Sequence, residues 1–306
     1  MLLVSSPRRR GSLAVALAAL ALAVAPAGAD EATYSLREEY KPKVGDKVRV
    51  HERNRTGGTV VVRAGDQVLQ EQEQKQGVEQ RYEEHVLEVG EDGKVSRATR
   101  RYTFVADFAA DETEDLSAKP VEVVMTRKDG QRSFAPVEGH TLSPLLERVL
   151  DMEAGQSNDK DDDESRKTFL PEGPVAVGAT WPVSVEKLTE VFGMDPADLE
   201  PTESNATGTL EKAEPKDGTT MLSVLVTVQL RFKRFQGMDA KPPFRFDMKI
   251  RIDLPAGGKT PGGGIRLEGI AKGKAVFPAD QGVPPGTILD LDMTMENAKS
   301  MEPLAQ

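Results

Sequence analysis

The chain reads as a mainly β protein: two antiparallel β-lobes of long curved strands, arranged as an open half-barrel or a sandwich, with two short helices. Three observations predict this. In 222–232, Leu222, Val224, Val226, Val228, Leu230 and Phe232 take every even position, with Ser223, Thr227, Gln229 and Arg231 between them. In 244–254, Phe244, Phe246, Met248, Ile250, Ile252 and Leu254 alternate with Arg245, Asp247, Lys249, Arg251 and Asp253. Period two puts the apolar side chains on one face of a sheet and the charges on the other, a one-sided burial typical of antiparallel sheets. The third observation is turn chemistry. Asp92-Gly93, Asp129-Gly130 and Asp217-Gly218 each separate two candidate strands, and both residue types tolerate positive φ.

Residues 1–29 read as a signal peptide. Arg8, Arg9 and Arg10 form a basic start, Leu13 to Ala25 is an apolar run, and Ala27-Gly28-Ala29 supplies small residues before a cut between Ala29 and Asp30. The apolar run is too short to span a membrane comfortably, and no later segment is apolar enough. The expectation is an exported protein, periplasmic or extracellular, with no transmembrane segment once processed. The chain has no cysteine, which excludes a disulfide framework, a thiol nucleophile, a zinc-thiolate site and a lipid-modified cysteine after the signal.

The N-terminal lobe is expected over 30–141, with strands near 48–50, 59–62, 78–89, 95–108 and 121–126. The Gln- and Glu-rich stretch 66–84 reads as a long solvated strand flowing into 82–89. A connecting helix and acidic loop occupy 142–169. Ser143-Pro144 supplies a cap and a first-turn proline ahead of Leu145, Leu146, Val149, Leu150 and Met152. The C-terminal lobe, 170–306, opens with a short helix capped by Ser184 and continues as a meander. Within it, 264–277 carries Gly269, Ala271, Gly273 and Ala275 on one face, as expected at a bulge or bend. In 287–296, Leu289, Leu291, Met293 and Met295 alternate with Asp290, Asp292, Thr294 and Glu296. Val44-Gly45-Asp46-Lys47-Val48 and Val177-Gly178-Ala179-Thr180-Trp181 introduce the two lobes as a weak internal repeat.

Lys43-Val44-Gly45-Asp46 together with Leu170 to Trp181 resembles a family of exported bacterial β-rich proteins of about this length that carries no assigned activity. The resemblance covers most of the processed chain. It implies a signal-bearing β protein and transfers no catalytic residue.

Candidate sites are weak. His51, His85 and His140 lack metal-ligand spacing. The acidic run 159–164 places Glu164 and Leu170 where a calcium loop needs glycine and a bidentate glutamate, so a solvated loop is the better reading. No GxSxG elbow or phosphate loop occurs, and Gly262-Gly263-Gly264 reads as a flexible turn. Trp181 is read as a core anchor. Removing residues 1–29 leaves 37 Lys+Arg against 50 Asp+Glu, a formal charge of −13, which argues against nucleic acid as a partner.

The site expected instead is an apolar face: Leu222, Val224, Val226, Val228, Leu230, Phe232, Phe244, Phe246, Met248, Ile250 and Ile252. If a curved sheet leaves it uncovered, it becomes a groove for a hydrophobic ligand or an envelope protein. The sequence thus points to a non-enzymatic exported binding or carrier module needing no cofactor, metal or lipid anchor. The alternatives are a structural or assembly factor of the cell envelope and, behind it, a hydrolase with an unconventional site.

Overall fold

Strict alternation in the sequence becomes one open, twelve-stranded antiparallel sheet that does not close into a barrel. The structure, a computed structural model, describes residues 32–156, 166–278 and 282–304. The expected signal peptide, with its Ala29–Asp30 cut, and the acidic run 159–164 fall outside the described residues.

In chain order the strands are β1 (Thr33–Tyr34), β2 (Lys47–Ala64), β3 (Gln67–Val89), β4 (Val95–Asp107), β5 (Glu112–Asp115), β6 (Val121–Lys128) and β7 (Gln131–Pro136). Helix α1 (Pro144–Gln156) follows, then β8 (Val175–Ala176), β9 (Thr180–Pro182) and helix α2 (Val185–Val191). The remaining strands are β10 (Asn205–Lys216), β11 (Thr219–Phe235), β12 (Met238–Pro255), β13 (Gly263–Val276) and β14 (Thr287–Pro303). Across the sheet the order is β7-β6-β4-β3-β2-β14-β13-β12-β11-β10-β9, with β5 on the outer edge of β4. Of the two expected arrangements, the open sheet is found and the sandwich is not. The last strand, β14, pairs with the first long one, β2, from Thr287–Ala64 to Pro303–Val48. That pairing makes the two halves a single sheet.

The glutamine-rich stretch is strand, as expected: β3 runs for 23 residues, roughly 75 Å of extended chain. Turn chemistry is also as read. Asp129-Gly130 has φ of 53° and 78°, and Asp217-Gly218 has 50° and 78°, so both central residues lie in the left-handed region that type I′ hairpins require. Gln236-Gly237 makes a similar turn that composition did not advertise.

Long strands need help to curl. At Gly58 (φ 147°) and Gly77 (φ 127°) neighbouring backbones approach so closely that a Cβ would sit 2.1 Å from the Asp292 carbonyl oxygen and 2.0 Å from that of Asn54. Glycine at such points lets a sheet bend where any side chain would forbid contact. Gly269 and Gly273 have another role. The β13–β14 register runs without a shift, but the β12–β13 register shifts between Ala240 and Arg245, opposite Lys272–Ala275, so the irregularity expected near Gly273 is present with its extra residues on β12. A Cβ at Gly273 would lie 2.6 Å from the Phe244 ring, and one at Gly269 2.8 Å from Met248 Cγ. The small residues make room for large ones on β12.

Three cores form on the same side of this sheet, the smallest of them Met238, Ala275 and Leu289 with Val60, Val62, Phe235 and Phe277 packed against it. The first packs Leu145, Leu146, Val149 and Leu150 of α1 against Val50, Tyr82, Tyr102, Val105 and Val123. The second covers β10–β12 with Leu36, Phe169, Leu170, Val183 and Leu188, so the segment after residue 32 and strand β1, paired to β8, belong to the second half. A third helical stretch covers residues 166–169; α1 and α2 are capped as the sequence indicates: the Leu146 N–H donates to Ser143 Oγ (3.1 Å), and the Lys187 N–H to Ser184 Oγ (3.3 Å).

The weak repeat has a physical basis. The Gly45 N–H donates to Val86 O while the Val86 N–H donates to Asp46 O; the Gly178 N–H donates to Leu210 O while the Leu210 N–H donates to Ala179 O. Each motif clamps the neighbouring strand by the same pair of bonds. Trp181 is a core anchor: it is 8% exposed, and its Nε1 donates to Phe169 O at 3.0 Å. Its ring lies where a Cβ on Gly208 would need to be, 2.3 Å away. Gly208→Val should therefore displace the indole and lower unfolding stability by about 1–3 kcal/mol. Urea melts followed by the fluorescence of this single tryptophan would show it; an unchanged midpoint would refute the packing described.

Candidate functional site

The expected binding face is present but occupied. Leu222, Val224, Val226, Val228, Leu230 and Phe232 on β11, and Phe244, Phe246, Met248, Ile250 and Ile252 on β12, are all buried beneath the second core's own covering segments. This ladder is interior, not groove. The chain supplies the cover that a ligand was expected to provide.

The same face of the sheet continues beyond that cover, and its register defines what it presents. Met248 pairs with Gly269, Gly269 with Met295, Met295 with Thr56, and Thr56 with Gln76. Directly opposed residues share a face, so β13 contributes Ile265 and Leu267, β14 Leu291, Met293, Met295 and Asn297, and β2 Asn54, Thr56 and Val60. β3 adds Gln72, Gln74, Gln76 and Val78. Ile265, Leu267, Leu291, Met293 and Met295 are only half-buried. The floor grades from aliphatic and thioether side chains to amides and hydroxyls. No charge occurs on it until Glu52 and Lys299.

The opposite face of the same strands is dense in charge. Lys272 pairs with Asp292, Lys274 with Asp290 (3.3 Å), Arg266 with Glu268 (2.7 Å), and Arg53 with both Glu79 and Glu296 (3.7 Å each). His51 Nε2 lies 2.9 Å from Glu79 Oε1 on this side. Where Gly57 and Gly58 remove side chains, a cleft of about 470 Å³ opens, lined among others by Arg55, Gln74, Lys75, Met295 and Glu296.

An ionic network centred on the buried Arg100 bounds the uncharged floor on the side of the first core. Arg100 on β4 donates from Nε to Glu84 (2.7 Å) and from Nη1 to Glu153 of α1 (2.8 Å). Its guanidinium lies 4.6 Å from the Tyr82 ring centroid and 5.4 Å from that of Phe134. Gln80 Nε2 donates to Glu52 (2.7 Å) and Glu153 (3.3 Å), Arg132 Nη1 reaches Glu153 at 3.0 Å, and Lys299 pairs with Glu52. Five strands and a helix meet here. Burial alone would raise the Glu52 carboxyl, but Lys299 and Arg100, with the bonds from Lys299 and Gln80, hold it down at about 2. Arg100 is held charged well above its ordinary range by the tyrosines and glutamates around it, against the cost of burial.

The sequence reading missed this network, yet its signal was present: Glu52 continues the core-facing register of Val48 and Val50, and Arg100 lies between Ala98 and Tyr102. Among the described residues no cluster of His, Asp and Glu is arranged to hold a metal ion. The histidines are scattered: His85 lies on β3 opposite Lys47, and His140 Nδ1 accepts from the Glu122 N–H at 3.2 Å.

No family model and no curated protein matches this chain. Among solved structures, one titled for lipid–protein interactions in lipovitellin is similar over 86% of this chain at 10% identity, with a TM-score of 0.30. The chain spans about a quarter of that chain's length (25%). A crystal structure of OccK11 (OpdR) from Pseudomonas aeruginosa is similar over 89% of this chain and 100% of its own, at 8% identity and a TM-score of 0.19. Likeness this remote carries no argument about what the uncharged floor holds.

The low pKa of Glu52 fixes a sign. Its folded value lies below the ordinary 4.5, so its ionised form stabilises the fold above that pH, and the contribution fades as pH falls toward 2. Glu52→Gln should cost about 3 kcal/mol at pH 7 and progressively less on acidification. Urea titrations of both proteins from pH 7 to pH 3 would test it; a gap that stays constant with pH would contradict the assignment.

Proposed function

We propose that the chain is an exported, non-enzymatic binding or carrier module, periplasmic or extracellular, that holds an uncharged amphiphile on the half-exposed part of the sheet face that carries its cores. One observation carries the reading: a half-exposed floor without a single charge, on strands whose other face is charged at most positions. A merely solvated sheet in a chain with 29% charged residues would carry charges on both sides. Half-buried Met, Leu and Ile at the margin of the second core, beside Asn, Thr and Gln, suit a molecule with an apolar body and a neutral polar end. Methionine's flexible thioether adapts to varied shapes. The negative formal charge and the leader-like N-terminus fit an envelope setting. The second reading, an assembly factor meeting protein partners through sheet edges, draws on a free strand edge of the same sheet.

The neutral fluorescent hydrophobe N-phenyl-1-naphthylamine should bind the processed chain saturably without unfolding it. Met295→Glu and Leu267→Glu should each weaken uptake by about tenfold or more, since a charge on the floor must be desolvated. Ile270→Glu, on the opposite face where Ile270 is 38% exposed, should leave it unchanged. Absence of uptake, or equal loss in all three variants, would overturn the proposal.

A further inference from the structure

The free edge lies on β3. From Val78 to His85 this strand is paired on both sides, to β2 and to β4, but from Gln70 to Gln76 it is paired only to β2 among the described residues. The Phe108 N–H donates to Gly77 O at 2.9 Å, which marks where the neighbouring chain leaves the edge. It also fixes orientation. Peptide groups alternate along a strand, so the odd residues Glu71, Glu73 and Lys75 direct their backbone N–H and C=O outward. The register with β2 shifts only at Val62/Arg63, so this edge is regular up to Gln70.

Other edges are blunted. β7 ends on Pro136, β9 on Pro182, and the outer end of β10 carries Pro215. Proline removes the donor that strand addition needs. The β3 edge contains no proline; only charged side chains guard it. Their pattern, Gln-Glu-Gln-Glu-Gln-Lys-Gln, is self-complementary when reversed.

We propose that this edge is a homodimer interface, in which two copies of the chain pair residues 70–76 antiparallel about a two-fold axis at Glu73. That register gives the greatest overlap of the free segment. It sets Glu71 against Lys75 twice on the charged face, and Gln70 against Gln76 and Gln72 against Gln74 on the uncharged face. The like pair is Glu73 with its own copy, on the axis and exposed. Outward-directed residues meet outward-directed residues, so the backbone bonds form as in any antiparallel ladder. Lys75 lies 2.7 Å from Asp111 within one chain; both are exposed, so Lys75 can be shared with Glu71 of a second copy at little cost. The two uncharged floors would then join edge to edge into one continuous surface.

Sedimentation velocity of the processed chain over a concentration series tests this directly. A reversible monomer–dimer equilibrium is expected. Glu73→Pro removes an outward N–H that the β2 ladder does not use, so it should abolish the dimer while leaving the thermal melt intact. Glu73→Gln removes the like pair and should tighten the dimer by up to about fivefold. Lys75→Glu should weaken it by about tenfold or more, and adding Glu71→Lys should restore it. A chain that stays monomeric at all concentrations, or a dimer indifferent to Glu73→Pro, would overturn the proposal.

Discussion

Everything in this molecule depends on the pairing of β14 with β2. Seventeen residues of the last strand lie against the first long strand, joining segments that the chain separates by most of its length. Without that ladder there would be two smaller sheets, each with an exposed edge and no shared face. Its cost is the loop-closure entropy of a very long-range contact, repaid only when the whole ladder forms. The ionic network lies on this seam. Lys299 belongs to β14 and Glu52 to β2, while Glu84, Gln80, Arg100 and Glu153 carry the tie across β3 and β4 to α1. A buried network is weak evidence for stability in itself, but it is intolerant of wrong register. A one-residue slip would turn Glu52 and Lys299 to the outer face and leave Arg100 buried beside fewer carboxylates.

The two larger cores, with the small cluster of Met238, Ala275 and Leu289 beside them, explain where the uncharged floor lies. At the C-terminal half, α2, the segment around Leu36 and the Phe169–Leu170 turn lie over β10–β12. At the N-terminal half, α1 lies over β4, β5 and β7. Between them the sheet's face changes from aliphatic to amide. Chemistry there follows from what a half-exposed position tolerates: methionine and leucine next to the second core, then asparagine, threonine and glutamine toward the β3 edge. Water can reach every such position, yet none carries a charge.

Much of the fold is legible in the residues. Leu222 to Phe232 and Phe244 to Leu254 announce their strands because each apolar side chain is buried and each neighbour is solvated. The Asp-Gly turns and the serine caps are local chemistry, and they form where expected. The identity of the covering layer is not local. Nothing around Leu36 or Phe169 says that those residues will seal β11 and β12, so the face read as a groove is interior. The uncharged floor is written differently, in the alternation of glutamine with glutamate and lysine along β3. That pattern alternates neutral with charged rather than apolar with polar, and a hydropathy reading passes over it. Glu52 and Arg100 were passed over because a charge in a core register looks like noise until its partners from other strands are in view.

The absence of cysteine from the chain allows a direct test of the central claim, that the floor between the cores is an open ligand surface. Met295→Cys and Thr294→Cys place a single thiol on the two faces of one strand, one residue apart. Reaction with a maleimide should label both in the free protein, and a saturating neutral amphiphile should slow labelling at position 295 alone. Equal protection at both positions, or none at either, would contradict the account.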